Sequence, residues 1–314
     1  MSLSACVRGV MCDKIWRLLL FCCLRVCYFF KIQIIKKMLP VPFSGVIPAL
    51  KSMSTIIAPP QLEGLGALIT AVQVLSIFGS YGAESGLDSQ TPYSKFAIGK
   101  TLTKPISSKL GMFIIYFPSM FWLGINLSKL LSLSNNFDRK LLLVVSLFGH
   151  FTKRVFETLF IHKYSGNTDA YVASGIGFYY LFVSWFILHF QKLVVISKDI
   201  YSPSIIIGTV LFLVGEIGNF YHHFLLSNLR KNTEAKTKYI NPTGGLFDYV
   251  ATPHYFFELV AWLGIALIAQ QGNALLVFFS MSSYLVGRSV ATNRWNSNNI
   301  KDYKNKKNII PLLF

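Results

Sequence analysis

Residues 204–231, SIIIGTVLFLVGEIGNFYHHFLLSNLRK, are the most informative segment of this sequence about its fold. Its first half is a continuous apolar run, and its second half carries a glutamate, an asparagine and two histidines before it ends on Arg230 and Lys231. A helix that crosses a membrane needs about 20 mostly apolar residues, and ionisable groups at that depth usually face a cavity or a functional site. The stretch therefore predicts a membrane helix with one polar face.

The composition of the whole chain also indicates a membrane protein. Of its 314 residues, 53% are hydrophobic and only 14% are charged, which is too apolar for a soluble domain and too long for a single anchor. The net charge of +17 could suggest a nucleic-acid partner. However, the basic residues lie in short segments between apolar runs, as in multi-span proteins. We therefore expect a lipid bilayer as the partner and no nucleic acid.

Seven segments have the length and apolarity of a spanning helix, and none alternates as a barrel strand does. The sequence therefore predicts an all-α membrane protein, a bundle of seven transmembrane helices. The segments are 62–80, 110–130, 140–162, 171–191, 204–226, 255–270 and 273–291.

The distribution of basic residues predicts the orientation of this bundle. Lys and Arg concentrate in the loops 81–109 and 227–253 and in the tail after residue 291. With seven spans these three segments fall on one side, which the positive-inside rule makes cytosolic. We therefore expect a cytosolic C-terminus and a lumenal hairpin between the last two helices.

The N-terminal region differs from the rest of the chain. All five cysteines lie within the first 27 residues, so no disulfide, thiolate metal site or cysteine nucleophile is expected beyond them. Two arginines interrupt the apolar stretch there, and a signal peptide fits poorly. We interpret 1–61 as an extension and linker, either a weak extra anchor or a gene-model extension upstream of Met38.

The fifth predicted helix carries its polar residues on one face. At about 100° per residue, Asn219, His223 and Arg230 fall close together around the helix axis, and Glu216 and Ser227 flank them. Such a face either lines a site or supplies hydrogen bonds between helices.

Two other helices repeat this pattern. On the third, His150, Arg154 and Glu157 share a face, although Arg154 and Glu157 could simply pair. On the sixth, His254 and Glu258 are four residues apart and share a face. We expect the three helices to meet around a polar pocket that opens to the cytosol.

The arginines near this pocket indicate a phosphorylated ligand, because guanidinium groups hold phosphate through two parallel hydrogen bonds. The Gly244–Gly245 pair allows a close backbone approach to a ligand, although such a pair is more often a turn. Neither a dinucleotide-binding glycine motif nor a P-loop is present. The four arginines are Arg154, Arg230, Arg288 and Arg294.

A metal site or a serine nucleophile is not expected. The six histidines form no HExxH motif, and the adjacent His222 and His223 point about 100° apart on a helix. No GxSxG motif is present either.

Three motifs resemble a known family. GNFYHHFLLSNLRK (218–231), YINPTGGLFDYVATPHYFFELVAWLG (239–264) and DYKNKKNIIPLLF (302–314) are similar to the C-terminal domain of the steroid 5α-reductase superfamily. This superfamily includes very-long-chain enoyl-CoA reductases and polyprenol reductases. The resemblance is clear over 140–314 and weaker over 62–139. It implies a multi-pass enzyme of the endoplasmic reticulum membrane that uses NADPH to reduce a C=C bond conjugated to a carbonyl in a hydrophobic lipid substrate.

The resemblance also assigns residues to the cofactor, with three departures. His223 stands where steroid reductases have aspartate, His254 replaces an asparagine, and Asn296 stands where many members have tyrosine. His150, Arg154 and Glu157 are expected to complete the polar pocket. The residues predicted to bind the cofactor are Asn219, His223, Arg230, Tyr239, His254, Glu258, Arg288 and Arg294.

The substrate end departs further from the steroid reductases. Their QExPSF-like stretch corresponds to IIYFPSM (114–120), which places Tyr116 near the missing glutamate, and their carbonyl-binding tyrosine corresponds to Phe151. KRVFETLFIHKYSG (153–166) is more similar to the enoyl-CoA reductases. We therefore predict Tyr116 and Tyr255 as catalytic acids, with Tyr116 holding the substrate carbonyl.

Three alternatives remain open at this stage. PHYFFE (253–258) resembles membrane methyltransferases that use S-adenosylmethionine, although the GGLF and NLRK segments favour a reductase. A seven-helix transporter would more often show inverted repeats or paired half-helices, and neither is seen. Phe151 and Asn296 also allow a catalytically degenerate reductase.

Overall fold

A computed structural model describes residues 57–311, except 88, 98, 134–137, 165, 195–199, 232–239 and 305. The five cysteines and the Pro-rich part of the predicted linker lie outside the described residues. Within the described part, the chain is mostly helical, as predicted. Its long helices are α1 (Gly64–Ser85), α2 (Ser108–Leu133), α3 (Arg139–Phe156), α4 (Ala170–Phe190), α5 (Pro203–Lys231), α6 (Pro253–Ala269) and α7 (Gly272–Asn299).

Shorter elements join these helices. A π-helical turn, Glu157–Ile161, continues α3, and single 3₁₀ turns span Ser94–Ala97, Gln191–Leu193 and Gly245–Asp248. Two short strands, β1 (Pro105–Ser107) and β2 (Asn167–Asp169), pair antiparallel just before α2 and α4 and were not predicted.

Within the residues that the structure describes, five helices are long and apolar enough to cross a membrane: α1, α2, α4, most of α5 and α7. The apolar helix α6 is shorter, at 17 residues. The helix α3 carries four Lys and Arg residues and is not among these five helices. The helices match the seven predicted segments in position, but seven membrane crossings stay a prediction. The five apolar helices indicate a multi-pass membrane protein.

The helices pack around one large apolar cluster. Phe151 and Leu147 of α3 lie in it with Trp262 and Ile265 of α6 and Ile187 of α4, and each of these side chains is almost fully buried. The helix α1 packs on α7, α5 on α6, and α2 on both α3 and α4. The polar faces of α3, α5 and α6 meet at one end of this cluster.

A buried arginine joins three of these helices at the other end. Arg139, at the start of α3, donates to the carbonyl of Ala269 at 2.7 Å and to Oε1 of Gln191 at 2.5 Å. Gln191 also donates to the Ala269 carbonyl. These donors satisfy a buried carbonyl at the end of α6 that has no partner within the helix, a common role of basic side chains.

The α5–α6 contact depends on glycine. A Cβ atom added to Gly215 would lie 2.3 Å from the backbone nitrogen of Ala261. Small residues allow membrane helices to approach this closely.

We expect Gly215→Ala to lower the thermal unfolding midpoint of the detergent-purified protein, because the added methyl would force the two backbones apart at a cost of about 1–3 kcal/mol. Gly79→Ala on α1 is the matched control, since a Cβ atom there would meet nothing within 4 Å. An unchanged midpoint for Gly215→Ala would contradict the close approach.

Candidate active site

A cavity of about 550 Å³ lies where α2 begins and where α3, α5 and α6 bring their polar faces together. The segments 93–96 and 240–251 and the far end of α7 complete its walls. The predicted site residues that line this cavity are Tyr116, Arg154, Asn219, His223, His254, Tyr255, Glu258 and Arg288.

Tyr116 is held by an arginine. Nη2 of Arg154 donates to the Tyr116 hydroxyl oxygen at 2.7 Å, and the guanidinium lies 4.7 Å from the centre of the tyrosine ring. Nη1 of Arg154 donates to Glu157 at 2.6 Å, and Nδ1 of His223 lies 3.1 Å from the same carboxylate oxygen. The buried Arg154–Glu157 pair was one of the predicted alternatives, and here it also supports Tyr116.

The π-helical turn shapes this corner of the cavity. The backbone nitrogen of His162 donates to the carbonyl of Glu157, five residues earlier, and the ring of His162 comes within 4.7 Å of the ring of His223. Single π turns inside helices are frequent at functional sites. This turn lies within the KRVFETLFIHKYSG segment.

Asn219 joins the three polar helices at the cavity wall. Its amide nitrogen donates to the backbone carbonyl of His254 at 2.9 Å and to Glu258 at 3.1 Å. Its amide oxygen accepts from Lys153 at 2.6 Å. Because Asn219 and Glu258 both line the cavity, their contacts fix two polar groups at its surface.

His150 is not among the described residues that line the cavity, and its side chain contacts residues behind the cavity wall. Its Nδ1 lies 2.6 Å from Glu216, and its Nε2 lies 3.4 Å from Glu258. The ammonium of Lys153 lies 2.9 Å from the other oxygen of Glu216 and forms an ion pair with it. His150 and Lys153 thus join α3 to α5 and α6, as the second interpretation of the polar faces predicts, whereas Asn219 and His223 line the cavity.

Arg288 lines the cavity but is held by many contacts within the protein. It pairs with Glu84 at 2.8 Å, donates to the carbonyls of Thr91 and Tyr93, and stacks on the rings of Tyr93 and Phe96. Glu84 also accepts from the backbone nitrogen and the hydroxyl of Thr91. Tyr93 and Phe96 line the cavity, so the pair fixes part of its wall. No sequence pattern predicted a role for Glu84.

Arg294, Arg230 and Tyr239 are the remaining predicted cofactor residues. Arg294 is exposed on α7 and donates to the carbonyls of Ser85 and Gly86, and it is not among the described residues that line the cavity. Arg230 lies at the end of α5, and Tyr239 lies outside the described residues.

The Gly244–Gly245 pair forms a turn that packs on α5. Both glycines have positive φ, 88° and 54°, and a Cβ atom on Gly245 would lie 3.0 Å from His222. His222 accepts from the backbone nitrogen of Leu246 at 3.1 Å. Its side chain thus faces this turn while His223 faces the cavity, as their spacing predicted.

The C-terminal tail holds the segment before α6. Its backbone pairs with that segment, as where the nitrogen of Ala251 donates to the carbonyl of Lys307 at 2.8 Å. The ammonium of Lys306 donates to the carbonyl of Pro242, which lines the cavity. Partial burial lowers the pKa of Lys306.

Phe151 and Tyr255 differ in their surroundings. Phe151 lies in the apolar core against Tyr180 and does not line the cavity. Tyr255 lines the cavity, with its ring 4.4 Å from that of His254.

Glu157, His162 and His223 place possible metal ligands within 4.8 Å of one another. Arg154 bonds the same carboxylate, and its positive charge opposes a cation at this position. The chemistry of the described cluster fits a metal ion poorly.

Residues 170–314 match the family model described as 3-oxo-5-alpha-steroid 4-dehydrogenase. The chain is 28% identical over 257 residues to 3-oxo-5-alpha-steroid 4-dehydrogenase 1 of Rattus norvegicus, covering 80% of this chain and 93% of the relative. It is 36% identical over 114 residues to the protein of that name in Homo sapiens, covering 36% of this chain and 43% of the relative.

A second kind of relative is a probable very-long-chain enoyl-CoA reductase of Caenorhabditis elegans. It is 27% identical over 184 residues, covering 52% of this chain and 56% of the relative. The matches to the human and nematode proteins thus span about half of those relatives. The comparisons confirm the predicted resemblance to the steroid 5α-reductase superfamily in the C-terminal part of the chain, including its mixture of two branches.

Proposed function

We propose that this chain is a membrane oxidoreductase that uses NADPH to reduce a C=C bond conjugated to a carbonyl in a lipid. The Tyr116–Arg154 contact at the cavity surface carries the proposal, because it presents a supported acid to a carbonyl oxygen. The names of the relatives, steroid dehydrogenases and enoyl-CoA reductases, support the same chemistry. They give no support to a methyltransferase or a transporter.

The described residues of the cavity fit a nicotinamide dinucleotide. Asn219 and Glu258 offer an amide and a carboxylate on the wall, which suit a carboxamide group. Lys95 and Lys163 also line the cavity and supply positive charge for phosphate groups. NADPH would supply a hydride to the β-carbon of the substrate.

Tyr116 would hold the substrate carbonyl. Because its oxygen already accepts from Arg154, its own hydroxyl proton is left to donate to the carbonyl oxygen. As negative charge develops on that oxygen during reduction, this hydrogen bond strengthens and the proton can transfer. The Arg154 guanidinium then stabilises the phenolate that remains, and Glu157 holds the guanidinium in place.

The setting of the enzyme follows from the same resemblance. We propose the endoplasmic reticulum membrane, with the C-terminus in the cytosol. The basic tail and the basic 81–109 segment support this orientation. We also propose that residues 62–139 contribute the substrate end and 140–314 the reductase part, although the family model begins at 170.

Equilibrium binding to the detergent-purified protein tests the cofactor. We expect saturable binding of NADPH, weaker binding of NADH and none of S-adenosylmethionine. Asn219→Ala should weaken NADPH binding, because it removes an amide from the cavity wall and frees its partners Lys153 and Glu258. Arg230→Ala should weaken it as well if that arginine holds a phosphate.

Asn126→Ala is the matched control, since this asparagine lies on α2 and bonds only the carbonyl of Trp122 among the described contacts. Binding of S-adenosylmethionine without NADPH would favour a methyltransferase. Binding of NADPH without turnover of any enone lipid would favour a degenerate reductase.

A further inference from the structure

A second cavity, of about 260 Å³, opens between α2, α3 and α4. We call it the α2–α4 cleft, and its lining includes Lys129, Lys140, His189, Trp122 and Trp185. It lies toward the end of α2 and the start of α3, whereas the candidate active site lies at the opposite ends of both helices. The cleft is therefore a separate site.

The cleft changes from basic to apolar with depth. Lys129 lies one turn before the end of α2, Lys140 is the second residue of α3, and His189 is the penultimate residue of α4. Trp122 lies two turns before Lys129 in α2, about 10 Å deeper along the helix axis at about 1.5 Å per residue. Helix ends of this kind lie where a membrane helix leaves the hydrocarbon, and tryptophan is enriched at that level.

The charges in the cleft are of one sign. Among the described residues that line it, the basic side chains are Lys129, Lys140 and His189, and none is acidic. Both lysines are exposed, so their ammonium groups are accessible to a ligand at the surface. The ring of His189 stacks on that of Trp185 at 4.9 Å, which fixes the imidazole beside the apolar wall.

We propose that the α2–α4 cleft binds an anionic phospholipid, with its phosphate between Lys129 and Lys140 and its acyl chain against Trp122, Trp185 and Val144. The lysines supply the charge that a phosphate headgroup requires, and the walls supply the apolar surface that a free phosphate does not use. Basic pockets between membrane helices bind anionic lipid headgroups, and this cleft lies at the end of the bundle opposite to the loops 81–109 and 227–253, so in the orientation proposed above it would take a lipid of the lumenal leaflet. This proposal does not depend on the proposed reductase activity.

Native mass spectrometry of the detergent-purified full chain tests the proposal. Phosphatidylglycerol and phosphatidylcholine with identical acyl chains are titrated separately, and inorganic phosphate is added as a competitor. We expect phosphatidylglycerol to bind at lower concentration than phosphatidylcholine. The double variant Lys129→Gln, Lys140→Gln should weaken phosphatidylglycerol binding by about tenfold or more, because each lysine near an anionic headgroup contributes to affinity.

The matched control is the double variant Lys109→Gln, Lys301→Gln, which removes two exposed lysines remote from the cleft and should leave lipid binding unchanged. Equal binding of the two lipids, or an equal loss in the two double variants, would overturn the proposal. Displacement of phosphatidylglycerol by inorganic phosphate at similar concentrations would overturn the assignment to a lipid and indicate a site for free anions.

Discussion

Replacing Tyr116 by phenylalanine is expected to lower turnover of an enone lipid by about 100-fold or more, the usual contribution of a positioned general acid. The variant keeps the ring and removes only the hydroxyl that accepts from Arg154 at 2.7 Å. Because the cofactor contacts proposed for Asn219 and Glu258 are left intact, NADPH affinity should stay unchanged. The readouts are turnover at saturating NADPH and equilibrium binding of NADPH.

Two further tyrosine variants show whether the loss of turnover is specific to the hydroxyl of Tyr116. Tyr171→Phe removes the hydroxyl of a tyrosine that is 66% exposed at the start of α4 and should keep full turnover. Tyr255→Phe tests the second predicted acid on the same cavity wall. If Tyr116→Phe kept full turnover while Tyr255→Phe lost it, the carbonyl would be assigned to Tyr255 instead.

Arg154→Lys tests whether Tyr116 needs the guanidinium of Arg154 or only its positive charge. A lysine keeps a positive charge but has no planar fork to bond Tyr116 and Glu157 together. We expect this variant to lose turnover while it retains NADPH binding. Full turnover would show that charge alone supports the tyrosine.

The sequence predicted the helices because their signal is local. An apolar run identifies a membrane helix, and the 3.6-residue period identifies which side chains share its face. This reasoning alone placed His223, Arg154 and Glu258 on facing surfaces of α5, α3 and α6. In the structure all three side chains line the same cavity. Their roles in binding and catalysis stay predictions.

What the sequence could not show depends on contacts between distant parts of the chain. Glu84 and Arg288 lie 204 residues apart, and no periodic pattern connects them. No sequence pattern gave Arg139 a role, because the carbonyls that it caps belong to α6. The π-helical turn after α3 was also missed, since the residues that form it fit a regular helix equally well.

Breaking the buried Glu84–Arg288 ion pair is expected to lower the stability of the protein strongly. Both side chains are almost fully buried, with 2% and 1% exposure, and removing one partner leaves a buried charge unpaired. Glu84→Gln should therefore destabilise the protein by about 3–5 kcal/mol, the usual cost of breaking a buried pair. The measurement is the thermal unfolding midpoint in detergent, compared with Glu63→Gln, an exposed glutamate near the start of the same helix.

The same variants decide between two roles of Arg288. If Arg288 positions the cavity wall at Tyr93 and Phe96, its position depends on its ion pair with Glu84. Glu84→Gln and Arg288→Gln should then weaken NADPH binding to a similar degree. The double variant should then lose little more than either single one, because contacting residues are not additive. As a direct phosphate ligand, Arg288 would instead lose binding when replaced while Glu84→Gln retained it. The observed contacts of Arg288 with Glu84, Thr91 and Tyr93 favour the positioning role, since they leave its guanidinium few donors for a phosphate.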